Sequence, residues 1–250
     1  MTNPLHPPRD GNGIGDYTLH DFAAKWMMQQ ADIAGIHHYQ DANLILADTT
    51  TRELRIVLFG DSITEFWQID PSAIAGLDLI NRGIAGQNSS QMLLRFEDDV
   101  VALKPRGVVI LAGTNDLRSY VGDPAELADS ALARIKRNLT AMADIADARG
   151  ISVVLATLPP VGTDPGVLRS AGAVRTVNLW IARFATRRGY GLADYHSVLT
   201  DRQGNLDARF SEDGVHPNAA GYERMMPLVL NRLKAIAAAN PTTTKGCPNG

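Results

Sequence analysis

The sequence predicts an α/β protein, a three-layer α/β/α sandwich built on a five-stranded parallel sheet. Three observations lead there. Short β-branched runs alternate with longer segments of helical period, the pattern of parallel strands joined by crossover helices. Three of those runs are apolar nearly throughout, as strands covered on both faces must be. The chain has 250 residues, of which 45% are hydrophobic and 20% charged, enough to enclose one sizeable core.

Strands are expected over residues 54–59, 77–81, 107–112, 151–158 and 190–194. The clearest helix starts after Asp123, with Pro124 at its first position and Glu126 three residues past the cap, and stops before Gly150. Within it Leu132, Ile135, Leu139, Met142 and Ile145 recur at steps of three and four, so one stripe faces the sheet while Arg134, Lys136 and Asp144 face water. Val174, Val177, Ile181 and Phe184 repeat the pattern before Gly189. Tyr222, Met225, Val229, Leu233 and Ile236 repeat it near the end, where Pro227 is expected to kink the helix. Upstream of Leu54, the residues Trp26, Met27, Met28, Ile33 and Ile36 are too apolar for a free tail and predict one helix packed on the same domain. No linker divides the middle of the chain, so residues 1–239 read as a single domain and 240–250 as a flexible tail.

Charge narrows the range of partners. Lys plus Arg total 24 against 27 Asp plus Glu, a net charge of -3 with no basic stripe, which argues against nucleic acid. The single cysteine, Cys247, permits neither an internal disulfide nor a cysteine zinc cluster. The longest apolar runs fall far short of the roughly 20 residues that cross a bilayer, so no membrane partner is implied. The opening MTNPLHPPRD lacks the apolar core of a secretory signal, which points to the cytoplasm or to a form already processed.

In an open parallel sheet, ligands bind beyond the carboxyl ends of the strands. Those positions are chemically loaded here. Gly60-Asp61-Ser62-Ile63-Thr64 follows the first strand, Gly83-Ile84-Ala85-Gly86-Gln87-Asn88 the second, and Gly113-Thr114-Asn115-Asp116 the third. Asp213-Gly214-Val215-His216-Pro217-Asn218 opens the last helix. A hydroxyl, a glycine backbone, an amide and a histidine with a nearby carboxylate are the parts of an acyl-transfer site. Singly, each has a plain structural alternative: Ser62 as a helix cap, Gly86 as a turn glycine, Asn115 as an Asx-turn residue, Asp213 and His216 as solvated caps. Their joint occurrence, in one order and each at a strand end or helix start, favours function.

These blocks resemble the SGNH hydrolases, or GDSL family of esterases and lipases, over residues 54–234. The flanking text, Asn81-Arg82-Gly83-Ile84 and Ser90-Gln91-Met92-Leu93-Leu94-Arg95-Phe96, is similar to the bacterial branch related to platelet-activating-factor acetylhydrolases and acetylxylan esterases. The resemblance implies a flavodoxin-like sheet, small acyl groups and an ester substrate, with acetylated carbohydrate among the candidates. It implies neither cofactor nor metal. It further implies Ser62 as nucleophile, His216 as base and Asp213 as its orienting carboxylate. The amides of Ser62 and Gly86, with the Asn115 side chain, are then the oxyanion donors. The chain departs from the pattern at Phe66, which stands beside Trp67 where relatives often carry glycine.

Elementary chemistry asks for the same roles. A serine hydroxyl needs an imidazole to take its proton, and a carboxylate holds the imidazole tautomer and stabilises the cation. A nucleophile at a helix N-terminus gains unpaired amides near the developing oxyanion. No Gly-x-Ser-x-Gly elbow is present, so the α/β-hydrolase fold is not supported. Asp61 and Asp116 are expected to accept hydrogen bonds that fix their loops. One rival is a metal-dependent phosphoesterase using Asp61, Asp116, Asp213 and His216. The other is a non-catalytic carbohydrate-binding module using Trp26, Trp67 or Trp180 as a stacking platform.

Overall fold

The computed structural model describes Met27 and residues 31–49, 53–69, 76–118, 124–164 and 168–238. The chain divides into two compact units, Met1–Ile33 and Ala34–Gly250. In the first, only Met27 and residues 31–33 are described; the expectations for Trp26, Met28 and the tail 240–250 lie outside the described residues.

The second unit carries the sheet. In chain order it contains a 3-10 turn at Ile36–His38, α1 (Gln40–Asp48), β1 (Leu54–Gly60), α2 (Ser62–Glu65), β2 (Leu77–Gly83), α3 (Ser89–Leu94), α4 (Phe96–Asp99) and β3 (Gly107–Ile110). There follow α5 (Pro124–Ala148), β4 (Ser152–Ala156), α6 (Ala171–Arg188), β5 (Gly191–Ala193), α7 (Tyr195–Leu199) and α8 (Ala219–Ala238). The strands lie in the order β2-β1-β3-β4-β5. All four pairings are parallel. This is the flavodoxin-like order, which reverses direction beside β1 and opens a crevice at the strand ends there.

Apolar periodicity explains most of these elements. In α5, Ile135, Leu139 and Met142 are at most 1% exposed, and in α6 Val174, Val177 and Ile181 are equally enclosed. Each such side chain contributes roughly 1.5–3 kcal/mol when fully withdrawn from water. β1, β3 and β4 are buried almost throughout, consistent with helices on both faces. Pro124 opens α5, where its missing N–H costs nothing, and Gly189 ends α6 in a left-handed cap with φ 70°.

The structure departs from expectation in three places. β3 and β4 end at Ile110 and Ala156, short of the apolar runs: the Leu111 and Thr157 N–H groups still donate to Phe59 O and Ala193 O at 3.0 Å, but the Leu158 backbone turns to the Asn178 side chain. Upstream of β1 the expected helix does not reach Ile36: Met27 and Ala31 are helical, but Gly35 takes a left-handed φ of 68°, and Ile36, 36% exposed, opens a separate 3-10 turn that α1 follows. Arg134, expected to face water, turns its Nε to Asp116 Oδ1 at 2.9 Å. α8 carries Pro227 in its interior.

Candidate active site

β1 and β2 stay in register from Leu54↔Leu77 to Gly60↔Gly83, so their carboxyl ends are level. The chain leaves β1 into α2 within two residues. Asp61 caps that turn, its Oδ1 accepting the Ile63 N–H at 3.0 Å. Ser62 is thereby the first residue of a helix, and its N–H, like that of Gly86, has no backbone acceptor among the described residues. Other elements pin α2. Asn81 Nδ2 donates to Thr64 O at 2.7 Å, Tyr222 Oη of α8 donates to Ile63 O at 2.9 Å, and Glu65 Oε2 accepts the Ala85 N–H at 2.6 Å.

The nucleophile candidate is 7% exposed. Ser62 Oγ lies 2.9 Å from His216 Nε2, and His216 Nδ1 lies 2.6 Å from Asp213 Oδ2. The loop holding this pair is tightly wound. Asp213 Oδ1 accepts the N–H of Val215 at 2.9 Å and of His216 at 2.8 Å, and the Gly214 N–H donates to Ser211 Oγ at 3.0 Å. Gly162 N–H donates to Gly214 O at 2.7 Å, tying the loop to the segment after β4. Partial burial pushes the Asp213 carboxyl up, but the hydrogen bonds from the His216 ring and from the backbone amides of His216 and Val215 outweigh it and hold the group at about 2. Asp213 is therefore a carboxylate across the working pH range, as an imidazole partner requires.

Gly86 sits at φ 80°, a left-handed conformation that side chains avoid, and a Cβ there would meet nothing within 4 Å. Backbone conformation, not crowding, calls for glycine. Asn115 reaches the same loop: its Nδ2 donates to Gln87 O at 3.0 Å, while its Oδ1 accepts from Arg169 Nη2 at 2.9 Å. Arg169 thus fixes which end of the amide points at the Gly86–Gln87 turn. Since Nδ2 carries two hydrogens, one remains for a ligand oxygen.

Asp61 and Asp116 accept hydrogen bonds as expected. Asp116 Oδ1 receives Ser89 Oγ at 2.7 Å and Arg134 Nε at 2.9 Å, and its Oδ2 receives the Ser89 N–H at 2.7 Å. Asn138 Nδ2 completes the link by donating to Ser89 Oγ at 2.9 Å. Asp61 is fully buried, its Oδ2 has no hydrogen-bond partner among the described residues, and burial first, against the Ile63 amide and the charges of His216 and Arg169, pushes its carboxyl up to about 6. With Asp116 committed to Ser89 and Arg134, and Asp213 to His216, the four groups of a metal site do not converge. Among the described residues no cluster of three or more His, Cys, Asp or Glu could hold a metal.

Of the tryptophans proposed as a platform, Trp67 is 5% exposed and stacks on Tyr222 at 5.4 Å, and Trp180 stacks on Phe184 at 4.8 Å. The open aromatic ring is Phe66, 45% exposed and 5.5 Å from the His216 ring. Sequence reasoning missed Arg169, Gln87 and Arg95. Arg169 stands alone in a loop and carries no local signal. Arg95 forms an i,i+4 ion pair with Asp99 in which both side chains are 0% exposed.

A sequence model of the GDSL-like lipase/acylhydrolase family matches residues 58–224. Among solved structures, a GDSL-like lipase from Bacteroides thetaiotaomicron is 32% identical, with a TM-score of 0.68 over 83% of this chain and 99% of that one. A candidate acylhydrolase from Bacteroides fragilis is 30% identical, with a TM-score of 0.68 over 81% and 98%. An acetylxylan esterase from Geobacillus stearothermophilus, 18% identical, shares the fold with a TM-score of 0.57 over 78% and 99%. An uncharacterized lipoprotein of Bacillus subtilis is 32% identical over 85 residues, so the match spans about a third of each protein, 34% of this chain and 34% of that relative. No described helix is long and apolar enough to cross a membrane. The family model takes in Ser62, Gly86, Asn115 and Asp213 through His216, and the chain belongs to the GDSL-like lipase/acylhydrolase family of carboxylic ester hydrolases.

Proposed function

We propose that this protein is a serine esterase that hydrolyses small-acyl, acetyl-type esters through an acyl-enzyme. The observation that carries the proposal is the unbroken relay from Asp213 Oδ2 through His216 to Ser62 Oγ, at 2.6 and 2.9 Å. In the first step Ser62 Oγ bonds to the ester carbonyl carbon while His216 Nε2 takes the hydroxyl proton. The carbonyl oxygen becomes an oxyanion, received by the amides of Ser62 and Gly86 and by Asn115 Nδ2. His216 then gives its proton to the leaving alkoxide as the C–O bond breaks. Water, deprotonated by the same imidazole, releases the acid and restores the serine.

The acyl-size reading rests on the sequence resemblance and on the lack of a long insertion that could make a lid. The alcohol is expected on the histidine side, because His216 protonates it. Phe66, 5.5 Å from the His216 ring and 45% exposed, also lines a groove of about 590 Å³ with Gln68, Tyr222 and Met226, and its open face suits a ring-shaped alcohol such as an acetylated sugar. The test is a panel of esters varied separately in acyl length and in alcohol. The proposal expects higher kcat/KM for acetyl than for octanoyl esters of one alcohol, and the reverse order rejects the small-acyl reading. Activity should survive prolonged chelation; its return only on adding a divalent ion would favour the phosphoesterase instead.

A further inference from the structure

The segment from Ala34 to Asn43 lies upstream of the residues matched by the family model, yet its polar contacts converge on the loop that carries Gly86. Ala34 O accepts Gln87 Nε2 at 2.7 Å in a buried bond. Gly35 passes so close that a Cβ would meet Gln87 Nε2 at 2.9 Å and Ile84 Cδ1 at 3.2 Å, and its φ of 68° already disfavours a side chain. Tyr39 Oη donates to Gly83 O, and the Arg82 guanidinium lies 4.5 Å over the Tyr39 ring. Asn43 Oδ1 accepts Arg82 Nε at 2.9 Å, while its Nδ2 donates to Asp99 Oδ1 at 2.7 Å.

Beneath that loop the buried Arg95 completes the clamp. Its Nε donates to Gln87 Oε1, its Nη1 to Arg82 O at 3.0 Å and Asp99 Oδ2 at 2.8 Å, and its Nη2 to Gly60 O at 3.0 Å. The Gln87 side chain is therefore held at both ends, by Ala34 through its nitrogen and by Arg95 through its oxygen. The Gln87 backbone carbonyl in turn accepts Asn115 Nδ2 at 3.0 Å. One residue adjoining Gly86 joins the upstream segment, the buried arginine and the side-chain amide. Burial and the nearby Glu65 push the Tyr39 phenol up to about 12, which keeps it a donor to Gly83 O at any working pH.

We infer that residues 34–43 form a strap that positions the oxyanion donors, with Tyr39 and Gly35 as positioning residues for the Gly86 amide and the Asn115 side chain. The inference rests on the reading of those two groups as oxyanion donors. A backbone amide cannot be re-aimed by its own side chain, least of all at a glycine. Its direction is set by what holds the neighbouring carbonyls and side chains, here Gly83 O and Gln87. If the strap sets that direction, loosening it weakens an interaction made in the transition state and leaves ground-state binding alone.

The experiment uses the full chain with Tyr39→Phe, which removes one hydroxyl, and Gly35→Ala, which pushes on Gln87. Each is assayed for kcat, for KM with an acetate ester, and for affinity toward a trifluoromethyl ketone, whose adduct with the serine carries an oxyanion. Deleting one oxyanion donor outright costs about 10² to 10³ in kcat, so misaiming one is expected to cost about tenfold. Ketone affinity should fall by a similar factor, with KM within twofold. Should Gly35→Ala fail to fold, Tyr39→Phe still decides the matter. A lowered melting temperature with unchanged kcat and ketone affinity for Tyr39→Phe overturns the strap and leaves an ordinary packing element. Asn115→Ala is tested alongside. If Asn115→Ala also leaves kcat and ketone affinity unchanged, the oxyanion reading has failed, and the strap with it. If Asn115→Ala lowers both and Tyr39→Phe lowers neither, the strap alone is rejected.

Discussion

Replacing Asp213 by asparagine keeps the shape of the side chain and removes its charge, and the surrounding hydrogen bonds dictate how the amide must sit. Asp213 Oδ1 receives two backbone N–H groups, from Val215 at 2.9 Å and His216 at 2.8 Å. An asparagine must put its oxygen there. The opposite orientation would forfeit two hydrogen bonds of about 0.5–1.5 kcal/mol each, a bias of roughly fivefold to 150-fold. The NH₂ then faces His216 Nδ1, where Asp213 Oδ2 stood at 2.6 Å, and the ring must present a lone pair at that nitrogen. Its proton moves to Nε2, the atom 2.9 Å from Ser62 Oγ, which can no longer accept the serine proton. A triad locked in the wrong tautomer loses about 10⁴ in kcat. Asp213→Ala removes the loop bonds as well, at about 0.5–2 kcal/mol of stability, but leaves the imidazole free to choose its tautomer. The expected outcome is an inversion: the asparagine variant melts closer to wild type than the alanine variant and turns over no faster. Steady-state kinetics and thermal melts of both decide it. An asparagine variant with more than about a tenth of wild-type kcat would refute the tautomer argument.

Three further outcomes follow from the site. Arg169→Met frees the Asn115 amide from its bond to Arg169 Nη2 at 2.9 Å; kcat is expected to fall about 10- to 100-fold, bounded by the loss on removing Asn115 itself. The double variant should be no worse than Asn115→Ala alone, and strictly additive losses would show that the two do not act as one unit. Asp61, raised from 3.8 to about 6 by burial, binds its proton more tightly folded than unfolded, so its contribution to stability is complete below about pH 4 and lost as pH rises through 6. Asp61→Asn keeps the oxygen that caps Ile63 and should remove a loss on the order of 3 kcal/mol between pH 4 and 7.5; equal pH slopes for the two proteins in chemical denaturation would contradict this. Gly83→Ala would set a Cβ 2.1 Å from Glu65 N, on the backbone of α2, and should lower both melting temperature and activity; a variant as stable as wild type would mean that α2 can shift away freely.

What was legible in the sequence was what short stretches determine by themselves. Asp213, Val215 and His216 are near neighbours, so one turn of chain makes the carboxylate, its two backbone donors and the imidazole a unit before any tertiary contact forms. Pro124 and Gly189 mark helix ends by their own backbone limits. Strand ends were less legible, because an apolar run reports burial, and Leu158 is buried while its backbone pairs with the Asn178 side chain instead of a neighbouring strand. The residues that aim the catalytic groups were illegible. Arg95 gains its meaning from the carbonyls of Gly60 and Arg82 and from Gln87, which only the folded chain gathers around it. Arg169 is separated by 54 residues from the amide it orients. Gly35 would pass for a turn glycine until Gln87 is seen against it.

The central claim is that Ser62 attacks the ester and carries the acyl group. Treatment with a fluorophosphonate, followed by intact-mass measurement and peptide mapping, tests it most directly, since only a serine activated by its imidazole reacts at stoichiometric reagent. The account predicts one adduct per chain, located on Ser62, formed in step with complete loss of esterase activity and absent in Ser62→Ala. A label on another serine, or activity retained in Ser62→Ala, would contradict it.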